Sequence, residues 1–139
     1  MIVLDTNVVS ELMRASPAEG VVEWVDRHTV ADLHLTAITV AELLYGVARL
    51  PDGRRKIELA RLVEVMLIEE FDHRVVPFDE TGASHYADIV VRRERAGRPI
   101  STADAQIAAT CRSHGATLAT RNIDDFADTG IAIIDPWTE

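Results

Sequence analysis

Short apolar runs alternate along the chain with segments whose apolar positions recur at helical spacing. Ile2 to Leu4, Leu33 to Thr36, Arg74 to Phe78, Ala116 to Ala119 and Ile131 to Ile134 have the length and composition of strands. Between them, Val8 to Met13, Ala18 to Asp26, Val40 to Leu50, Arg55 to Glu70, Gly82 to Arg95 and Thr102 to His114 carry helix formers near a 3.6-residue period. Pro51-Asp52-Gly53 and Gly97-Arg98-Pro99 separate consecutive helices, and Gly115 stands where a helix C-cap belongs. This alternation predicts an α/β fold with a parallel central sheet of about five strands, since continuously apolar strands suit a sheet covered on both faces.

Repeats, low-complexity tracts and flexible linkers are missing, so a single domain over residues 1–139 is expected. Hydrophobic residues make up 47% and charged ones 27%, and no segment has the apolar length of a membrane helix. The opening Met1-Ile2-Val3-Leu4-Asp5 lacks the basic region of a signal peptide, and the lone Cys111 permits no intrachain disulfide. Both readings agree with a soluble cytoplasmic protein.

The net charge of −9 argues against a broad electrostatic grip on nucleic acid. Locally basic ground exists at Arg54-Arg55-Lys56 and at Arg92, Arg93, Arg95 and Arg98 around Glu94. Each cluster reads equally well as a solvated helix face or as a track for a phosphate backbone. Lys56 is the only lysine.

In an open α/β sheet the functional crevice lies outside the carboxyl ends of the strands, which directs attention to the residue after each apolar run. Asp5 closes the first strand and is followed by Thr6 and Asn7; any of the three also suits a helix N-cap. Asp104 lies one turn inside a helix starting near Ser101, on the stripe of Ile107, Ala108 and Cys111. A carboxylate aimed at apolar surroundings must be compensated by a partner or a metal, although Ser101-x-x-Asp104 also has the form of a capping box. Glu42, in Thr39-Val40-Ala41-Glu42-Leu43, is expected in the first turn of a helix, with Gly46 leaving open surface beside it. Thr120-Arg121-Asn122-Ile123-Asp124-Asp125 follows the fourth strand and puts Asn122, Asp124 or Asp125 near the same end.

Carboxylates converging from distant positions repel one another, and an oxygen-preferring dication, Mg²⁺ or Mn²⁺, is the natural counter-charge. The five histidines and Cys111 show no zinc spacing, and no nucleophile elbow, phosphate-binding loop or dinucleotide fingerprint occurs.

Taken in order, Asp5-Thr6-Asn7, Glu42 within Thr-Val-Ala-Glu-Leu, Ser101-Thr102-Ala103-Asp104 and Thr120-Arg121-Asn122 resemble the PIN-domain ribonucleases nearly end to end. Within them the chain resembles the toxins of virulence-associated (VapC-type) toxin-antitoxin modules, and the closing Asp135-Pro136-Trp137 is similar to the branch of the fast intracellular trafficking proteins. The resemblance implies a flavodoxin-like three-layer sandwich, a homodimer, and a cognate antitoxin that blocks the pocket and alone contacts DNA. It implies an endoribonuclease in which Asp5, Glu42 and Asp104 hold one or two Mg²⁺ or Mn²⁺ ions for hydrolysis to a 5′-phosphate and a 3′-hydroxyl. Thr6, Asn7, Thr120 and Asn122 then orient the site, and Arg54, Arg55, Arg92 and Arg93 track RNA. Many relatives carry Asp at the place of Asn122 and others an acid three residues later, where this chain has Asp125, so the fourth position stays open. Two rivals remain: a domain that accepts a phosphoryl group on Asp5, and a non-catalytic subunit that holds a DNA-binding partner.

Overall fold

The computed structural model describes residues 1–139. Strand β1 (Ile2–Leu4) leads into α1 (Thr6–Leu12) and α2 (Glu19–Asp26); β2 (Leu33–Thr36) into α3 (Ala37–Ala48) and α4 (Arg54–Val65). Strand β3 (Val75–Val76) precedes α5 (Glu80–Arg95) and α6 (Thr102–His114), and the chain closes with β4 (Thr117–Ala119) and β5 (Ala132–Ile134). The five strands are all parallel in the order β3-β2-β1-β4-β5.

That order follows from two directions of winding. From β1 the chain steps outward to β2 and β3, then returns through α5 and α6 to β4 on the other side of β1. Right-handed crossovers in opposite directions lay their helices on opposite faces. One core accordingly joins Leu4 and Leu35 to Val8, Val9, Val21, Trp24, Leu43 and Val63 of α1 to α4. The other joins Val3 and Leu118 to Ile89, Ile107, Ala108 and Cys111 of α5 and α6. Adjacent Val3 and Leu4 serve different layers because successive strand side chains point to opposite faces. The result is the expected three-layer α/β sandwich.

Three elements depart from the sequence pattern. Helix α3 starts at Ala37 rather than Val40 because the Thr36 hydroxyl caps it, accepting from the Thr39 amide at 3.0 Å. The predicted helix 55–70 ends as an α-helix at Val65 and finishes in a π-helical turn over Met66–Glu70. The expected strand 74–78 shrinks to Val75–Val76: Pro77 has no amide to donate, and Arg74 turns its guanidinium onto the carbonyls of Val30 and Leu33. Gly115 takes the left-handed C-cap of α6, at φ 61°.

Candidate active site

Reversal of the winding at β1 brings the carboxyl ends of β1 and β4 side by side, and the Asp5 amide donates to the Ala119 carbonyl at 2.9 Å. The Asp5 side chain is only 5% exposed and is held by three donors. The Thr6 amide lies at 2.8 Å, which makes Asp5 the N-cap of α1, while the Thr120 hydroxyl at 2.8 Å and the Asn7 carboxamide at 3.1 Å donate to its other oxygen. Asp5 thus caps α1 with one oxygen and keeps the other in the polar network at the sheet's end. Burial nevertheless pushes the Asp5 carboxyl above its ordinary range, against the help of Thr120, Thr6 and Asn7, and the neighbouring Glu42 charge pushes the same way.

Glu42 enters from α3, in its second turn because that helix begins early. The Thr6 hydroxyl donates to it at 2.8 Å, tying α1 to α3 across the mouth of the site. Gly46 has open space where a Cβ would stand. Asp104 comes from the start of α6, where the Ser101 hydroxyl accepts from the Asp104 amide at 3.2 Å and so caps the helix. Its half-buried carboxyl is raised first by burial and then by the charges of Asp5 and Asp125, with Arg93 opposing. Glu42, Asp5, Asp104 and Asp125 thus form a row in which each charge bears on the next.

Of the late polar residues, Asp125 is the one whose charge bears on the Asp104 carboxyl, pushing it further up. Asn122 contributes its backbone, donating to the Thr120 hydroxyl at 3.0 Å, while its exposed carboxamide makes no hydrogen bond. Thr120, which also accepts from Asn7 at 3.1 Å, is the junction of the polar scaffold.

The arginines expected to follow RNA are not gathered here. Arg93 is buried, and its guanidinium donates to the carbonyls of Arg98, Asp125 and Ala127 at 2.6, 2.9 and 2.8 Å. It therefore clamps the segment carrying Asp125 and is not a free phosphate contact. Its place in a run of surface-type charges concealed this. Arg92 pairs with Asp88 at 3.3 Å, and Arg54 and Arg55 stand exposed at the start of α4. A cation that the charge pattern did not single out, Arg121, sits at the rim: its amide donates to the Asn7 side chain at 3.2 Å and its guanidinium lies 4.9 Å from the centre of the Trp137 ring. Only the long-range contact reveals it.

Neither a cysteine nor a lysine stands ready for other chemistry at this site. The Cys111 thiol is pushed up to about 12 by burial and is no nucleophile near neutral pH. Lys56, the one lysine a phosphoryl-accepting site would call on, donates to the Ala48 carbonyl at 3.0 Å and to Asp52 at 3.4 Å, on the helical surface.

No three acidic, histidine or cysteine side chains close up into a ready-made metal cage. The donor set nonetheless fits a hard dication: all oxygen, partly desolvated, and carrying mutual repulsion that the chain itself does not cancel. The largest hollow lies elsewhere. It is a groove of about 760 Å³ between α1, α2 and α4, lined by Leu12, Met13, Val25, Leu62 and Phe71 among others and by none of the four acids.

A doubly wound parallel sheet with a buried aspartate at the end of its central strand, and further acids brought beside it by α3 and α6, defines an α/β domain with an acidic cleft at its switch point. Residues 2–132 match the PIN domain family, and the chain belongs to it. It is 44% identical over 137 residues to the toxin FitB of Neisseria gonorrhoeae, covering 99% of each chain. To the VapC ribonuclease Y4jK of Sinorhizobium fredii it is 42% identical over 137 residues, covering 99% of this chain and 98% of the relative. The solved structure of FitAB bound to an IR36 DNA fragment superposes with a TM-score of 0.91 at 43% identity, over 99% of this chain and 96% of that one.

Proposed function

We propose that this chain is the toxin of a type II toxin-antitoxin pair and acts as a Mg²⁺- or Mn²⁺-dependent endoribonuclease in the cytoplasm. The observation that carries this reading is the row Glu42, Asp5, Asp104 and Asp125 at the switch point, four acids whose charges oppose one another on a scaffold of Thr6, Asn7 and Thr120. The relatives named ribonuclease and toxin support it.

Asp5, Glu42 and Asp104 would hold the dication, with Asp125 as the fourth acid. Once bound, the ion supplies counter-charge and Lewis acidity to water and phosphate. Thr120 and Asn7 fix the Asp5 carboxylate, and Thr6 fixes Glu42, so that neither acid has to reorganise when substrate arrives. Water adds to phosphorus, the bond to the 3′ oxygen breaks, and the products carry a 5′-phosphate and a 3′-hydroxyl.

The antitoxin partners this chain and carries the DNA contact, a reading supported by the neighbour FitAB bound to DNA; the apolar groove between α1, α2 and α4 offers the area such a partner needs, and two toxin chains pair. An acidic chain that leaves DNA to its partner is consistent with the net charge of −9. The test is incubation of the purified chain with total cellular RNA in Mg²⁺ or Mn²⁺, beside EDTA and Asp5→Asn controls. Cleavage confined to the intact chain with metal is expected. A folded chain that never cuts RNA, but joins DNA through its partner, replaces the enzyme by the binding subunit.

A further inference from the structure

An RNA-cutting site in a chain of charge −9 needs at least one cation beside the scissile phosphate, and most arginines near the sheet are already engaged by protein acceptors. Arg93 is on three carbonyls, Arg92 and Arg112 share Asp88, Arg98 reaches Asp128 and the Asp124 carbonyl, and Arg74 is on carbonyls below β2. Arg121 is different. None of its guanidinium hydrogens meets a protein acceptor; the guanidinium carbon stands over the Trp137 ring, 4.9 Å from its centre.

Its position is fixed from both ends. The Arg121 amide is bound by Asn7, whose carboxamide nitrogen donates to Asp5, so the residue is two hydrogen bonds from the buried acid. Trp137 is half-buried against the first core, and its own amide donates to Asp135 at 2.9 Å. Buried Glu11 of α1, its carboxyl held below the ordinary range chiefly by Arg14, has the Trp137 side chain among the groups that lower it further. A shallow hollow between Arg121 and Asp125 opens beside this shelf.

We infer that Arg121, held on the face of Trp137, takes a backbone phosphate of single-stranded RNA next to the bond being cut. This rests on the nuclease reading above. Stacking on the ring removes freedom that the long side chain would otherwise lose on binding, and leaves the guanidinium edge for phosphate oxygens. Arg121 is a binding residue for substrate, distinct from the acids.

The experiment measures dissociation constants of a fluorescent single-stranded RNA oligonucleotide over a range of KCl at fixed Mg²⁺, with Asp104→Asn as the cleavage-silent parent. Adding Arg121→Ala, an exposed position, should weaken binding about tenfold and lower the salt slope by about 0.7, the loss of one phosphate contact on a single strand. Trp137→Leu should weaken binding about threefold with the slope unchanged, because the charge remains but its shelf is gone. An Arg121→Ala chain that is folded by circular dichroism and keeps both the affinity and the slope of its parent overturns the inference. Cleavage by the unmutated chain is scored separately: if it cuts RNA while Arg121→Ala leaves binding intact, the inference fails and the nuclease reading stands.

Discussion

The acid cleft beyond β1 and β4 and the apolar groove between α1, α2 and α4 are built by opposite means. In the cleft, Asp5 is 5% exposed and its two carboxylate oxygens are held by the Thr6 amide, the Asn7 carboxamide and, from the far end of the chain, the Thr120 hydroxyl. The groove is wider, lined by aliphatic side chains, and Leu62 on its wall stays 52% exposed. A large apolar hollow offers area to a partner, whereas chemistry on phosphate requires charge held in place, and a cleft crowded with hydrogen-bonded carboxylates leaves little empty volume. The larger hollow is thus the poorer guide to the reaction.

If the cleft alone carries chemistry, Asp5→Asn should cut RNA cleavage by a factor on the order of 10³ or more while antitoxin binding persists, as paired cleavage and pull-down assays would record. Thr120→Val removes the hydroxyl shared by Asp5, Asn7 and Asn122 and should lower cleavage by about 10- to 100-fold with the fold retained. The groove should behave the other way round. Leu62→Asp is expected to leave cleavage by the free chain unchanged and to weaken its inhibition by antitoxin about tenfold, the scale of one buried anchor lost from an interface. Equal effects of Leu62→Asp on both readouts would break the distinction.

The smallest effect concerns stability. The Asp104 carboxyl lies above its ordinary value of 3.8 in the fold, so the stability it adds as a neutral acid is fully present below 3.8 and is lost as pH rises through the raised value. Metal-free Asp104→Asn should therefore melt higher at neutral pH, by no more than a few degrees, and the difference should fade under acid. Thermal scans at the two pH values check it.

The sequence made the two halves of the molecule legible to different degrees. Asp104 was readable because Ser101 three residues earlier and the apolar stripe behind it are local signals. Asp5 was readable from its place after a strand. The bond from Thr6 to Glu42 was not, since it depends on α3 starting at a cap inside β2. Arg93 reads as surface from its charged neighbours, yet α5 turns it inward onto the loop after β4. That the Asp125 charge reaches Asp104 depends on the path of that loop, which composition does not encode. Where helix period and caps decide, the pattern suffices; where side chains more than thirty residues apart meet, only the assembled sheet shows the pairing.

The central claim is that acids from β1, α3 and α6 make one dication site although no cage is preformed. Calorimetric titration of Mn²⁺ into the free chain, Asp5→Asn and Asp104→Asn tests it most directly. The account predicts saturable binding to the unmutated chain and at least a tenfold loss in each variant. Equal Mn²⁺ affinity in all three, with each chain folded, would contradict it.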